Sequence, residues 1–221
     1  MRKTSYGSGA SCKPTKAIST AFYEELFNKF KDSDEASIGP DGMERLCKAL
    51  DIDPADVLML VFAWCLGAKQ MGYFSHEEWL SAVGKVGGVA SEAELKERVQ
   101  EIYKSSLREP ESLRELHQFA HKFCREERKK NIDVTSARIM LKLVLEPLYE
   151  EHVEAISRYL KQHAEVGKRG VSMDEWTMLL QFCREIDPDC ANFQDDGAWP
   201  LLLDDYVEWR RESLSSAESR E

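Results

Sequence analysis

The sequence lacks the features that place a chain in a membrane or on a nucleic acid. Its longest apolar run begins at Val57 and is far shorter than the ~20 residues that a bilayer span needs. No secretory signal peptide is visible. The net charge is −10 at pH 7, with 30 Lys and Arg against 40 Asp and Glu. Because nucleic acids and anionic membranes both attract basic surfaces, we expect neither as a partner.

Paired cysteine motifs and glycosylation signals are also missing. The six cysteines form no C-x-x-C pair, and no N-x-S/T site occurs. Most of the cysteines fall among apolar residues at helical spacing, where a free thiol acts as a small hydrophobic side chain. This usage is typical of a reducing compartment. We therefore expect the protein in the cytoplasm, the nucleus or both.

The sequence contains no motif of an enzyme. No P-loop, G-x-S-x-G or G-x-G-x-x-G pattern occurs, and we expect no cofactor and no catalytic residues. His117 and His121 are four residues apart and could reach one zinc ion from one helix face. No third ligand is evident, which favours polar residues beside an apolar stripe over a metal hydrolase. The neighbouring acids Glu77 and Glu78 would point in different directions on a helix, which argues against an acid–base pair.

Apolar residues recur at helical spacing from Phe22 to Trp209, and no period-two stretch is long enough for a substantial strand. Residues suited to N-capping precede several of these stripes. The pattern predicts an all-α protein, with caps at Asp53, Ser75, Ser91, Asp133 and Ser172.

A weak internal repeat relates residues 72–79 (GYFSHEEW) to residues 169–176 (RGVSMDEW). Both segments resemble the second half of an EF-hand loop, in which a Glu at position 12 is the last ligand. The positions that should supply the first ligands hold residues such as Gly67, Lys69 and Val166. We therefore expect two helical lobes of degenerate EF-hand-like helix pairs that bind no metal. A calcium sensor remains an alternative that the missing ligands oppose.

The negative charge is concentrated near the C-terminus. Residues 171–221 contain thirteen acids against four arginines, a net charge of −9, and no lysine follows Lys168. Residues 1–20 carry four basic residues and no acid. An acid-rich module of this kind favours a basic protein surface as its partner.

The most specific segment lies in this module, at residues 197–209 (GAWPLLLDDYVEW). It closely resembles the C-terminal signature of the defective-in-cullin-neddylation family, whose members carry the potentiating-neddylation (PONY) domain. Three further segments resemble the family in the same order, namely residues 38–43 (IGPDGM), 61–64 (VFAW) and 71–79 (MGYFSHEEW).

The resemblance implies a non-catalytic co-ligase that binds a cullin and the neddylation conjugating enzyme together, alongside a RING protein that it engages indirectly. The family's cullin-binding triad falls on Asp174, Ala198 and Asp204. The family's apolar pocket receives the acetylated N-terminal Met of the conjugating enzyme. Its positions match Met43, Met59, Phe62, Leu66, Phe74, Phe123, Met140 and Leu143, with Pro40 and Gly72 also at pocket positions.

The expected organisation is a flexible basic tail over residues 1–19, a PONY domain over residues 20–212 and a disordered tail over residues 213–221. Within the domain we expect an N-terminal lobe over about 20–130 and a C-terminal lobe over about 131–212. The expected state is a monomer. A helical adaptor without ligase-stimulating activity is the alternative that residue patterns alone do not separate from a co-ligase.

Overall fold

Helices account for most of the chain in the computed structural model, which describes residues 15–33, 36–195 and 197–218. The prediction of an all-α protein is confirmed. The helices in this described part are α1 (Thr15–Phe30), α2 (Pro40–Leu50), α3 (Val57–Leu66), α4 (His76–Lys85), α5 (Glu92–Arg108), α6 (Pro110–Cys124), α7 (Val134–Gln162), α8 (Ala164–Arg169), α9 (Met173–Glu185) and α10 (Leu201–Glu218).

Two short antiparallel pairings join the loops between helices. Strands β1 (Ser37–Ile38) and β2 (Phe74–Ser75) pair with Ile38 opposite Phe74. A single bridge joins Ile132 to Val171 in the same antiparallel sense. Phe74 and Val171 are equivalent residues of the repeat predicted from the sequence, so each copy of the repeat is tied to an earlier loop through an isoleucine.

The two copies of the repeat also share their caps and their buried tryptophans. Ser75 and Glu78 form a capping box at the start of α4, and Ser172 and Glu175 form the same box at the start of α9. The residue after each box is a fully buried tryptophan. The two tryptophans donate through Nε1 to backbone carbonyls of α1 and α6, from Trp79 to Tyr23 O and from Trp176 to His117 O, each at 2.7 Å.

The core contains two groups of aromatic rings, and α6 contacts elements that hold each group. One group surrounds Trp79, whose ring lies 5.5 Å from that of Phe62. The other includes Tyr159, Phe182 and Tyr206. Helix α6 packs against α3 and α5 and also against α7 and α9. The boundary between lobes near residue 130 remains a prediction.

Helix α7 consists of two parts. Tyr149 has φ −139° and ψ 47°, outside the helical region, and Pro147 precedes it. Proline has no N–H to donate, and its ring clashes with the carbonyl one turn earlier. The helix therefore changes direction here, between an apolar stripe that ends at Leu145 and another that begins at Val153.

Three predicted boundaries need correction. Residues 213–218 are helical, because α10 continues past Trp209 to Glu218 and Ser213 Oγ bonds Trp209 O at 2.8 Å. Residues 15–19 belong to α1, whereas the rest of the predicted tails, residues 1–14 and 219–221, lies outside the described residues. Asp53 does not cap α3. Its side chain accepts from Ala55 N in the preceding turn, and Asp56 is the cap instead.

Candidate functional site

The predicted cullin-binding residues lie on α9, on α10 and in the segment that joins these two helices. Asp174 is exposed in the first turn of α9. Ala198 is exposed just before α10, and Asp204 is half-buried in the first turn of α10. Helices α9 and α10 pack against each other. We call these three residues the acid patch. Carboxylates near a helix N-terminus are stabilised by the helix dipole.

The start of α9 is held by an inward ion pair. Glu175 is 8 % exposed. Its carboxylate accepts from Arg169 Nη1 at 2.9 Å and lies 2.7 Å from Arg169 Nη2. Burial would raise the pKa of Glu175, but the hydrogen bonds from Arg169 and Ser172 outweigh it and lower the pKa. Adjacent residues on a helix point about 100° apart. With Glu175 fixed inward, Asp174 is directed to solvent.

Two arginines of α10 hold the segment that carries Ala198. Arg210 Nε donates to Pro188 O at 3.1 Å, and Arg211 Nη2 donates to Cys190 O at 2.9 Å. The guanidinium of Arg211 also lies 5.9 Å from the ring centre of Phe193. The sequence patterns described above do not point to these arginines. The feature of the sequence that could have identified them is that they are adjacent basic residues in α10, whose other charged residues are all acidic.

Tyr159 of α7 is buried, and acids of both α9 and α10 affect its hydroxyl. Burial raises its pKa to about 12, and the nearby negative charges of Asp205 and Glu175 add to the rise. Asp205 follows Asp204 in α10, and Glu175 follows Asp174 in α9. Acids near the starts of both helices therefore act on the same hydroxyl.

An apolar cavity of about 400 Å³ opens between α2, α3 and α7. Six of the eight predicted pocket residues line it, namely Met43, Met59, Phe74, Phe123, Met140 and Leu143. Gly72 also lines it, whereas Pro40 does not. Phe62 and Leu66 are buried but outside the lining. They form a row on α3 turned about 60° from the row of Met59 and Ala63, because each residue adds about 100°.

The cavity also contains lining residues that the resemblance did not indicate. Met71 and Ile139 are the most informative of these, because they are 52 % and 51 % exposed and form an apolar rim. The others are Cys47, Pro54, Ala55, Asp56, Leu60, Ala63, Cys124 and Ser136.

The chemistry of the cavity is that of a binding site for an apolar group. The carboxylate of Asp56 is occupied as the cap of α3, accepting from Leu58 N at 2.8 Å. Burial raises the pKa of Cys124 to about 12, with Asp133 adding to the rise, and burial also raises the pKa of Cys47. Because the thiolate is the reactive form, neither thiol is activated as a nucleophile.

The residues considered for metal binding have other contacts. His117 and His121 are both fully buried in the core, beside Trp176, and do not lie on its margin as the sequence suggested. Glu78, the position-12 residue of one EF-hand-like loop, accepts from Lys69 N and Ser75 N. Within the described ranges, no three His, Cys, Asp or Glu side chains come together as a metal site. No described helix combines the length and apolar content that crossing a bilayer requires.

The chain is similar to known proteins along most of its length. A family model described as cullin binding matches residues 94–209. DCN1-like protein 4 of Drosophila melanogaster is 33 % identical over 197 residues, which cover 87 % of this chain and 76 % of the relative. DCN1-like protein 5 of Homo sapiens is 33 % identical over 191 residues, with 84 % and 75 % covered. The family suggested by the sequence is confirmed, and the chain belongs to the cullin-binding family of DCN1-like proteins.

Proposed function

We propose that this protein is a scaffold-type co-ligase for cullin neddylation. It binds a cullin at the acid patch and the neddylation conjugating enzyme at the apolar cavity, and the modifier then passes to a lysine of the cullin. One observation carries the proposal. All three residues of the acid patch lie within residues 94–209, the part of the chain that matches the cullin-binding family, and arginine bonds brace the elements that carry them.

The acid patch suits a basic surface of a cullin. Asp174 and Asp204 supply negative charge, and Ala198, with its small side chain, permits close approach between them. Charge pairs across an interface raise the association rate and fix the register of the partners. The bonds from Arg169, Arg210 and Arg211 hold this surface in place before the partner arrives. Less conformational entropy is then lost on binding.

The cavity suits the acetylated N-terminal Met that the family resemblance implies. Its volume of about 400 Å³ and its apolar lining accommodate a Met-sized side chain. Burying such a side chain contributes roughly 1.5–3 kcal/mol. Acetylation removes the charge of the N-terminal amine, and a charged ammonium would be costly to bury in this lining. The cavity therefore distinguishes acetylated from free N-termini.

The proposed mechanism requires no covalent step by this protein. Holding the charged conjugating enzyme and its target on one scaffold raises their effective concentration. It also restricts the orientations from which the lysine attacks. A RING protein acts on the same conjugating enzyme and is contacted indirectly. The reaction belongs in the cytoplasm or nucleus.

Asp204→Lys tests the cullin side of the proposal. Reversing a charge at a desolvated contact costs about 2 kcal/mol or more, so we expect cullin affinity to fall about 30-fold or more. Titration calorimetry against purified cullin C-terminal regions measures this change. Glu212→Lys is the matched control, because it makes the same charge change at an exposed site on the same helix. Normal affinity in Asp204→Lys, with native helical content, would refute the assignment of the acid patch.

A further inference from the structure

We propose that the docking surface has a second, oppositely charged part beside the acid patch. It is a basic cleft, formed by Lys129, Lys130, Asn131, Lys168 and Arg169, that receives an acidic polypeptide segment of the docked cullin. The inference rests on the proposed function, because the partner is the same. It adds a requirement on that partner, whose docking surface must be basic in one place and acidic in an adjoining place.

The cleft is lined mainly by basic residues, although the protein as a whole is acidic. The cleft has a volume of about 290 Å³ and lies between the loop that follows α6 and the C-terminal end of α8 with the glycine after it. Its lining includes four cations and one acid, Asp133, whereas the whole chain has a net charge of −10. Asp133 Oδ1 already accepts from Ser136 N at 3.0 Å as the cap of α7. Three of the four cations pair with glutamates, and Lys130, which forms no ion pair in the described ranges, adds the positive charge that favours an anion.

The walls of the cleft are fixed by backbone bonds. Ile132 N donates to Val171 O at 3.0 Å, and Val171 N donates to Ile132 O at 2.8 Å. Asn131 Nδ2 donates to Arg169 O at 2.8 Å. Gly170 has φ +71°, and a Cβ there would lie 2.3 Å from Ile132 O. The two chain segments are thus held at a distance that only glycine permits, and the cleft is formed before any ligand binds.

The lysines of the cleft are available to a partner. Lys129 and Lys168 each pair with a glutamate three residues earlier, at 2.8 Å and 2.7 Å, and all four side chains are more than half exposed. Exposed pairs of this kind contribute little and are readily exchanged. Lys130 forms no ion pair with any residue in the described ranges. Arg169, in contrast, is committed to Glu175.

The cleft and the acid patch are close enough for one partner to cover both. Lys168 precedes Asp174 by six residues, and six residues span at most about 20 Å even when fully extended. A standard interface covers roughly 800 Å² on each partner, and a round patch of that area is about 30 Å across, which exceeds this separation. Lys168 is therefore within reach of a cullin seated on Asp174.

An acidic polypeptide fits this arrangement better than a nucleic acid does. A phosphate backbone is negative along its whole length, so a strand that entered the cleft would be repelled by the neighbouring module of net charge −9 over residues 171–221. A polypeptide can carry acids at one place and basic residues a few positions away. Adjacent regions of opposite sign also fix the orientation of the partner, because a rotated partner would bring like charges together.

The test is a double charge reversal in the cleft, Lys130→Glu with Lys168→Glu. Both side chains are exposed, so folding should be unaffected. Lys48→Glu with Lys104→Glu is the matched control, because it makes the same change in net charge at exposed lysines outside the cleft. Titration calorimetry against cullin C-terminal regions at low and at physiological salt should give about tenfold weaker binding for the cleft variant, with a smaller loss at higher salt. The control should stay within about twofold of the unaltered protein.

The outcomes separate this inference from the proposed function. If the unaltered protein binds no cullin, the proposed function fails and the inference fails with it. If the unaltered protein binds and the cleft variant binds equally well, the inference alone is overturned. Equal weakening in the cleft variant and the control would show an effect of net charge only and would also overturn it. An oligonucleotide that binds the cleft, with unchanged cullin affinity in the variant, would overturn it in favour of a nucleic acid.

Discussion

His117 is a fully buried polar side chain between α6 and α9. Its ring stacks on that of Trp176, with centroids 4.4 Å apart and planes 8° from parallel. Burial lowers its pKa to about 3, and the positive charges of His121 and Arg184 lower it further. Burial also lowers the pKa values of His121 and His152. Folding therefore opposes protonation of all three histidines.

The sign of the pH dependence follows from these lowered pKa values. An unfolded histidine binds a proton near pH 6.5, whereas folded His117 does so only near pH 3. Below pH 6.5 the unfolded state binds more protons, so acidification favours unfolding. The stability is complete above pH 6.5 and is lost as the pH falls towards the folded pKa values.

His117→Phe should reduce this pH dependence. Phenylalanine keeps an aromatic ring beside Trp176 but has no proton to bind. We expect the loss of unfolding free energy between pH 7 and pH 5 to be about 2 kcal/mol smaller than in the unaltered protein. Urea unfolding at a series of pH values measures it, with each protein at pH 7 as its own reference. Parallel curves for the two proteins would contradict the account.

At the scale of elements, the bridge between Ile132 and Val171 depends on one glycine. Gly170 has φ +71°, and a Cβ at this position would meet Ile132 O at 2.3 Å. Gly170→Ala should therefore lower the unfolding free energy by roughly 1–3 kcal/mol. Because this turn leads into α9, cullin affinity should fall as well. Thermal and urea denaturation measure the stability.

Gly167→Ala is the control for this substitution. Gly167 lies in α8, and a Cβ there has nothing within 4 Å. Alanine in a helix is more stable than glycine by roughly 0.5–1 kcal/mol, so this variant should be neutral or slightly stabilised. Equal destabilisation by both substitutions would show that the close approach of Gly170 to Ile132 is not the cause.

The elements were largely predictable because their signals are local. Ser75, Ser91, Asp133 and Ser172 cap helices as expected, since a cap bonds a backbone N–H only a few residues away. The prediction that Asp53 caps α3 was wrong, because an Asp-Pro pair suits a tight turn as well as a helix start. Asp56 occupies the cap position instead. Which of the two aspartates caps α3 depends on how the helix packs, and a sequence pattern does not give this packing.

The binding surfaces were less predictable, because they depend on which side of an element faces outwards. Helix α3 is apolar on all sides, so its sequence does not indicate which side lines the cavity. In the structure Met59 lines it and Phe62 does not. The exposed rim of Met71 and Ile139 results from the approach of α7 to the loop before β2. The bonds from Arg211 to Cys190 O and Phe193 O join residues 21 and 18 positions apart in the chain, so a local sequence pattern does not predict them either.

At the scale of the whole molecule, the net charge of −10 is unevenly distributed along the chain. Residues 171–221 carry −9 of it, and the acid patch lies there, beside the basic cleft and on a different part of the molecule from the residues that line the cavity. The proposed activity requires both the patch and the cavity at once. Either surface alone would give binding without faster modifier transfer.

Ile139→Glu tests the contribution of the cavity. It places a charge on the apolar rim at a side chain that is 51 % exposed, so folding should be preserved. Leu148→Glu is the matched control, because Leu148 is exposed on the same helix but does not line the cavity. We expect Ile139→Glu to weaken binding of an acetylated conjugating-enzyme peptide about tenfold, and to leave cullin affinity unchanged.

The most direct test of the co-ligase function is the initial rate of cullin modification in a reconstituted reaction, measured with and without this protein. The unaltered protein and Leu148→Glu should both accelerate the reaction. Asp204→Lys should abolish the acceleration through loss of cullin binding, and Ile139→Glu should reduce it while the cullin remains bound. An unchanged rate on addition of the unaltered protein, with a cullin that it binds, would contradict the co-ligase function and leave a helical adaptor.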